Sequence, residues 1–249
     1  MICSILCASL VLRVQPEGLQ LKTASKHPMR YYLSLPTNWS KDRTWPVVVA
    51  IESADRDFRG NAEAFIRARG RRPFIVLVPE VVTNGGPLSK EAPGYSYSLA
   101  DWSRVDRDGG WKFDEDGLAA VIADVRDQFS GNPKYYLTGW EAGTHTVFAL
   151  AFAHPERLAA VAPVCPNYAG RYVSFSNGSG RQELPIRVFA GSADPSWGPD
   201  KPLTVQTTRA EKEAKQHGFH FSFALVPGKG HGPLAEAVLG WFDTLLGQK

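Results

Sequence analysis

Residues 137–145 read LTGWEAGTH, and Gly139-Trp140-Glu141-Ala142-Gly143 within them has the spacing of G-x-S-x-G, with glutamate where a serine is expected. In that pattern a buried strand enters a helix through a sharp turn that lifts its central side chain above the sheet. Both glycines have a steric reason to be there. The turn is strained, and strand and helix approach too closely on either side of it for a side chain. Residues 134–138, KYYLT, read as the strand, and residues 142–153 read as a helix of small and apolar residues that ends before Pro155.

Around this unit the chain alternates short β-branched runs with longer stretches of helical periodicity, the pattern of a mostly parallel sheet covered by helices on both faces. Strands are expected at residues 18–23, 29–35, 46–51, 74–78, 158–164, 186–190 and 219–226, about eight with the strand before the turn. The continuous apolar runs PVVVAI and FIVLV fit strands buried on both faces. Helices are expected at residues 61–68, from Asp114 or Asp116 to Phe129, and at 204–217 and 233–246. Residues 79–112 are rich in Gly, Pro, Ser and aromatic residues without clear periodicity, and read as a long loop over the strand ends, a lid or pocket wall.

With 249 residues, 43% hydrophobic and 21% charged, the composition is that of one globular domain, and a mean hydropathy of −0.22 argues against a membrane protein. The net charge of +3 is spread along the chain apart from Arg67, Arg69, Arg71 and Arg72, so no nucleic-acid partner is expected. Three cysteines, Cys3, Cys7 and Cys165, have neither a disulfide framework nor a metal-ligand spacing, and no metal or cofactor is expected. Residues 1–18 fit either a signal remnant or an extra N-terminal strand, so a secreted or periplasmic location and a cytoplasmic one stay equally open.

The GWEAG turn, the later FAGSADP and the terminal VPGKGHGP occur in an order that resembles the α/β-hydrolase fold, closest to polyhydroxybutyrate-depolymerase-like and prolyl-oligopeptidase-like esterases, over residues 19–246. The resemblance implies an eight-stranded sheet and a catalytic triad. It assigns Asp194 as the acid, His231 as the base and Glu141 to the nucleophile position. It also implies an oxyanion hole of backbone N–H groups from Ala142 and from Ser53 or Ala54, although these relatives usually carry His-Gly where this chain has Ile51-Glu52-Ser53.

Three chemistries follow for Glu141. It can attack as a carboxylate, as the turn's aspartate does in the related haloalkane dehalogenases and epoxide hydrolases, which favours activated esters, lactones or alkyl electrophiles over amides. It can activate water. Or it pairs with His231 in a protein that binds without turnover. Glu52, on the neighbouring strand, is a candidate acid/base partner of Glu141 if two close carboxylates share a proton; its other reading is an outward residue paired with Arg56 or Arg59. A small-molecule substrate is expected, with Trp140, Tyr95, Tyr97, Trp102, Trp111, Tyr168 and Trp197 as candidate pocket aromatics. His145, four residues after Glu141, has a spacing that can hold a metal, but reads as a buried core histidine.

Overall fold

In a computed structural model that describes residues 18–84 and 94–247, the chain forms an eight-stranded sheet in the order β1-β2-β4-β3-β5-β6-β7-β8. The strands are β1 (Gln20–Thr23), β2 (Arg30–Ser34), β3 (Val47–Ile51), β4 (Ile75–Pro79), β5 (Tyr135–Trp140), β6 (Leu158–Val164), β7 (Ile186–Gly191) and β8 (Phe221–Val226). β2 is antiparallel to both its neighbours, and every other pairing is parallel. Of the expected N-terminal signal remnant or extra strand, all but Gly18 lies outside the described residues.

The helices are α1 (Phe58–Arg69), α2 (Leu99–Asp108), α3 (Gly110–Phe129), α4 (Thr144–Ala153), the short α5 (Gly180–Glu183), α6 (Pro202–Gln216) and α7 (Ala235–Leu246). Alternation along β3 explains the layering. Val47, Val49 and Ile51 join a core with α3, α4 and α6, while Val48 and Ala50 join a second core with α1 and α7 on the opposite face. All five β3 residues are buried, as both-face burial requires. None of the described helices is long and apolar enough to cross a membrane.

The largest departure from the sequence reading lies in residues 79–112. They contain α2, which opens with a capping box: Ser98 Oγ accepts from Asp101 N–H and Asp101 accepts from Ser98 N–H. Gly109, at φ 83°, separates it from α3, which begins at Gly110 rather than at Asp114 or Asp116. Asp114 is no cap. It is fully buried and accepts from the N–H groups of Val82 and Thr83 and from the Thr83 hydroxyl. Burial pushes its carboxyl up to about 7 despite those donors.

Candidate active site

The turn after β5 is as sharp as its glycines suggested. Glu141 sits at φ 51°, a left-handed conformation that costs a non-glycine residue on the order of 1–3 kcal/mol, and Glu141–Gly143 make a 3₁₀ turn into α4. A Cβ on Gly139 would lie 2.7 Å from Val147 Cγ2 and 2.9 Å from Ile51 Cβ, and one on Gly143 would run into the carbonyl oxygen of Glu52. Gly143 therefore holds the elbow at backbone contact with the loop after β3, and Gly139 lets the side chains of Val147 on α4 and Ile51 on β3 close over β5. The Thr144 hydroxyl lies 2.5 Å from Glu141 O and 2.8 Å from Asn167 O, cross-linking the turn to the loop after β6.

The Glu141 carboxylate folds back over this turn. Its Oε2 accepts from Ala142 N–H at 2.5 Å and, at the long end of a hydrogen bond, from Ala54 N–H at 3.5 Å. Its Oε1 accepts from the Asn167 side-chain amide at 2.6 Å. Of the backbone donors expected for an oxyanion hole, Ala142 and Ala54 converge on one oxygen, whereas the Ser53 N–H serves Glu52. The loop is braced from behind, since Asn84 Nδ2 donates to Ser53 O at 2.7 Å and Tyr95 Oη donates to Asn84 Oδ1 at 2.9 Å.

Across from the elbow, His231 Nδ1 and Asp194 Oδ2 are 2.8 Å apart, with Asp194 buried and the imidazole about one-third exposed. Burial works against ionisation of Asp194, but hydrogen bonds from His231, Ser196 N–H and the Cys165 thiol outweigh it and hold the carboxyl below its ordinary value. The two loops are fastened to each other: Ser192 N–H donates to Val226 O at 3.0 Å, Ala193 N–H to Lys229 O at 2.9 Å, and Gly228 N–H to Ser192 Oγ at 2.9 Å. Among the described residues, no hydrogen bond or ion pair joins Glu141 to His231.

Glu52 is buried, so the outward pairing with Arg56 or Arg59 does not form. Its Oε1 accepts from Ser53 Oγ at 3.0 Å and its Oε2 from Trp140 Nε1 at 3.3 Å. Burial raises its pKa to about 7, with those donors opposing the shift. Trp140 also sets its ring edge-on against the His231 imidazole, centroids 5.5 Å apart, and so links Glu52 to the histidine.

The other aromatic candidates are elsewhere. Tyr97 and Trp102 are buried in a small satellite core with Val82, Val105 and Phe113, and Tyr95 packs on its side. Tyr168 is buried against Phe148, with its hydroxyl on Glu213. Trp197 stacks on Phe223 beside the edge strand β8, and Trp111 stacks on Tyr172. Aromatic content in a loop does not separate a pocket wall from a core plug: Tyr97, Trp102 and Tyr168 are buried plugs, whereas Tyr95, Trp111 and Trp197 are partly exposed and Trp197 lines a cavity with Val188, Thr204 and Phe223. His145 is buried with Nδ1 lacking a hydrogen-bond partner, and burial, with a smaller effect of Arg171, holds it below its usual range.

Two residues not anticipated from the sequence belong to the site. One is Asn167, the amide on Glu141. The other is Cys165, at φ 43° just after β6, whose sulfur lies within 4.8 Å of ligand atoms of both Asp194 and His231. This is the one described trio able to hold a metal ion. Burial pushes its thiol up to about 11, and His231 and Asp194 already satisfy each other, so a metal would have to displace a proton and break that pair. A general rule would have pointed to both residues: in parallel sheets, site residues follow the carboxyl ends of strands, and Cys165 and Asn167 are the first and third positions after β6.

No family model matches the chain, and no curated protein sequence matches it. Solved structures do. Poly(aspartic acid) hydrolase-1 from Sphingomonas sp. KT-1 superposes with a TM-score of 0.61 at 16% identity, covering 92% of this chain and 97% of its own. A poly(3-hydroxybutyrate) depolymerase from Bordetella parapertussis gives 0.60 at 19% identity over 92% and 90% of the two chains. The siderophore hydrolase EstB from Aspergillus nidulans gives 0.58 at 17% identity over 96% of each. At these identities the likeness is one of architecture, and together with the strand order it shows that this chain has the α/β-hydrolase fold.

Proposed function

We propose that the chain hydrolyses small, ester-like carbon electrophiles through the carboxylate of Glu141, with His231 as base and Asp194 as the acid that orients it. The observation carrying this reading is the seat of Glu141 Oε2 on the N–H groups of Ala142 and Ala54. Those are the donors a substrate carbonyl would need in ordinary acyl transfer. With the hole taken by the enzyme's own oxygen, acyl attack lacks its electrostatic support, whereas displacement at a saturated carbon creates no carbonyl oxyanion on the substrate.

The chemistry then runs in two balanced steps. Glu141 Oε1 forms a bond to the substrate carbon while the bond to the leaving group breaks, and the electron pair departs with that group; the product is an ester on Glu141. Water next attacks Cδ of Glu141 and gives its proton to His231 Nε2, while the charge that develops on Oε2 is met by Ala142 and Ala54. Collapse breaks the Cδ–Oε1 bond, the alcohol leaves with the proton from His231, and the carboxylate is restored. Epoxides, alkyl halides, lactones opened at their alkyl carbon, and esters whose carboxylate leaves from a saturated carbon are the substrate classes this favours.

The decisive test is one turnover in H₂¹⁸O followed by mass analysis of the peptide that contains Glu141. One ¹⁸O in Glu141 is expected. Turnover without label would assign Glu141 to water activation, and equal rates for wild type and Glu141→Gln on all four substrate classes would sink the hydrolase reading. A second reading, a ligand-binding protein without turnover, is favoured by one specific observation: both Glu141 oxygens have protein partners and neither partner is His231. A burst of p-nitrophenol from Glu141→Ser with an inert wild type is the outcome that reading requires.

A further inference from the structure

The donors around Glu141 are distributed in a way that an oxyanion hole alone does not need. A tetrahedral oxyanion presents one charged oxygen, and donors converge on a single point. Here Ala142 and Ala54 N–H meet at Oε2, and a third donor, Asn167 Nδ2, is set 2.6 Å from Oε1. Two donors on one oxygen and one on the other is the complement of a planar carboxylate, whose two oxygens each accept.

We infer that Ala142 N–H, Ala54 N–H and the Asn167 amide form a carboxylate-binding site that Glu141 fills from within the chain, and that a free monocarboxylate occupies when the Glu141 side chain is absent or displaced. Asn167 is the residue that sets the preference for a carboxylate over a single-oxygen anion. The backbone of the three donors is held by contacts that do not use the Glu141 side chain. Asn167 N–H lies 2.9 Å from Thr144 Oγ1 and 3.3 Å from the Glu141 main-chain oxygen, and the Thr144 hydroxyl reaches Asn167 O. Ala54 belongs to the loop that Asn84 and Tyr95 brace, and Ala142 is fixed by the elbow itself.

The consequence is an exchange between Glu141 and a ligand of the same chemistry. Glu141 and a free carboxylate exclude each other from the seat, so a carboxylate gains it only when the Glu141 side chain has left. The binding claim stands apart from turnover and is tested without it. In ¹⁵N-labelled Glu141→Gly, sodium acetate is expected to move the amide signals of Ala142 and Ala54 saturably, with sodium chloride as the control for ionic strength. In wild type the same concentrations leave them in place, because Glu141 already occupies the donors. Adding Asn167→Leu to Glu141→Gly is expected to weaken acetate about tenfold, the worth of one hydrogen bond to a charged group. The inference is overturned if chloride reproduces the acetate shifts, or if the double variant binds acetate as tightly as the single one. If circular dichroism finds Glu141→Gly unfolded, the same titration is run on Glu141→Ser, and the same two results there would overturn the inference.

Discussion

On the elbow side of the site, both oxygens of Glu141 and the hydroxyl of Thr144 have protein partners; on the facing rim, His231 has one nitrogen on Asp194 and, among the described residues, no hydrogen bond to the other. The elbow thus holds its carboxylate on three donors, while the histidine keeps one ring nitrogen without a hydrogen bond among the described residues. A proton carrier needs that open nitrogen, while a carboxylate held by three donors needs none. This contrast gives each side its own experimental signature, and the sides can be disturbed separately.

The largest effect is expected on the open side. Asp194→Asn removes the charge behind His231 and destabilises the imidazolium, so kcat/KM on a responsive substrate is expected to fall by about 10³-fold or more. A drop of less than tenfold would mean that the histidine side carries no proton traffic. On the closed side, Gly143→Ala drives a Cβ into the Glu52 carbonyl oxygen, a backbone atom that cannot rotate away. A loss of about 3 kcal/mol in chemical denaturation is expected, and an unchanged midpoint would show that the elbow has more slack than its hydrogen bonds suggest.

Glu52 lies between the two sides, and its effect depends on pH. Its folded pKa, about 7, lies above the unfolded value near 4.5, so the folded state holds the proton more tightly. Its contribution to stability is full below pH 4.5, declines as pH rises to 7, and is level above that. Glu52→Gln cannot lose a proton, and the Ser53 hydroxyl can turn to accept from the new amide. The variant is expected to match wild type near pH 4 and to exceed it at pH 8 by on the order of 2 kcal/mol in urea titrations. No divergence with pH would mean that Glu52 ionises freely. Smallest is Tyr95→Phe, which removes the hydroxyl from Val81 O and Asn84 Oδ1 behind the Ala54 loop and is expected to cost about 1 kcal/mol. If the closed side is rigid only through that brace, the Ala54 amide will also exchange faster with solvent.

What the sequence conveyed about this molecule tracks the range of the forces involved. Residues 158–164 were readable as a strand to the residue, because burial on both faces writes a continuous apolar run. Gly139 and Gly143 were readable because the approach of neighbouring elements leaves no room for a Cβ at either position. Asp194 and His231 were readable as a pair through motif order. Asn167 was not: one amide in a polar loop has no periodicity, and its meaning depends on a carboxylate 26 positions earlier in the chain. The loop aromatics misled for the related reason that Tyr97 and Trp102 are as hydrophobic in a satellite core as in a pocket. α2 was legible in principle through Ser98 and Asp101, but its flanking glycines and prolines hid a short helical signal.

Gly139 and Gly143 have one more implication. Gly143 sets the elbow against the backbone of the loop after β3, and β3 and β5 pair as far as Ile51 and Gly139, so the backbone beside Ala54 and Ala142 is held by contacts that do not use the Glu141 side chain. The frame is therefore a socket whose walls do not use the side chain plugged into it. Exchanging the plug is expected to change the chemistry of the seat without re-forming the mount, and the variants at position 141 test that independence directly.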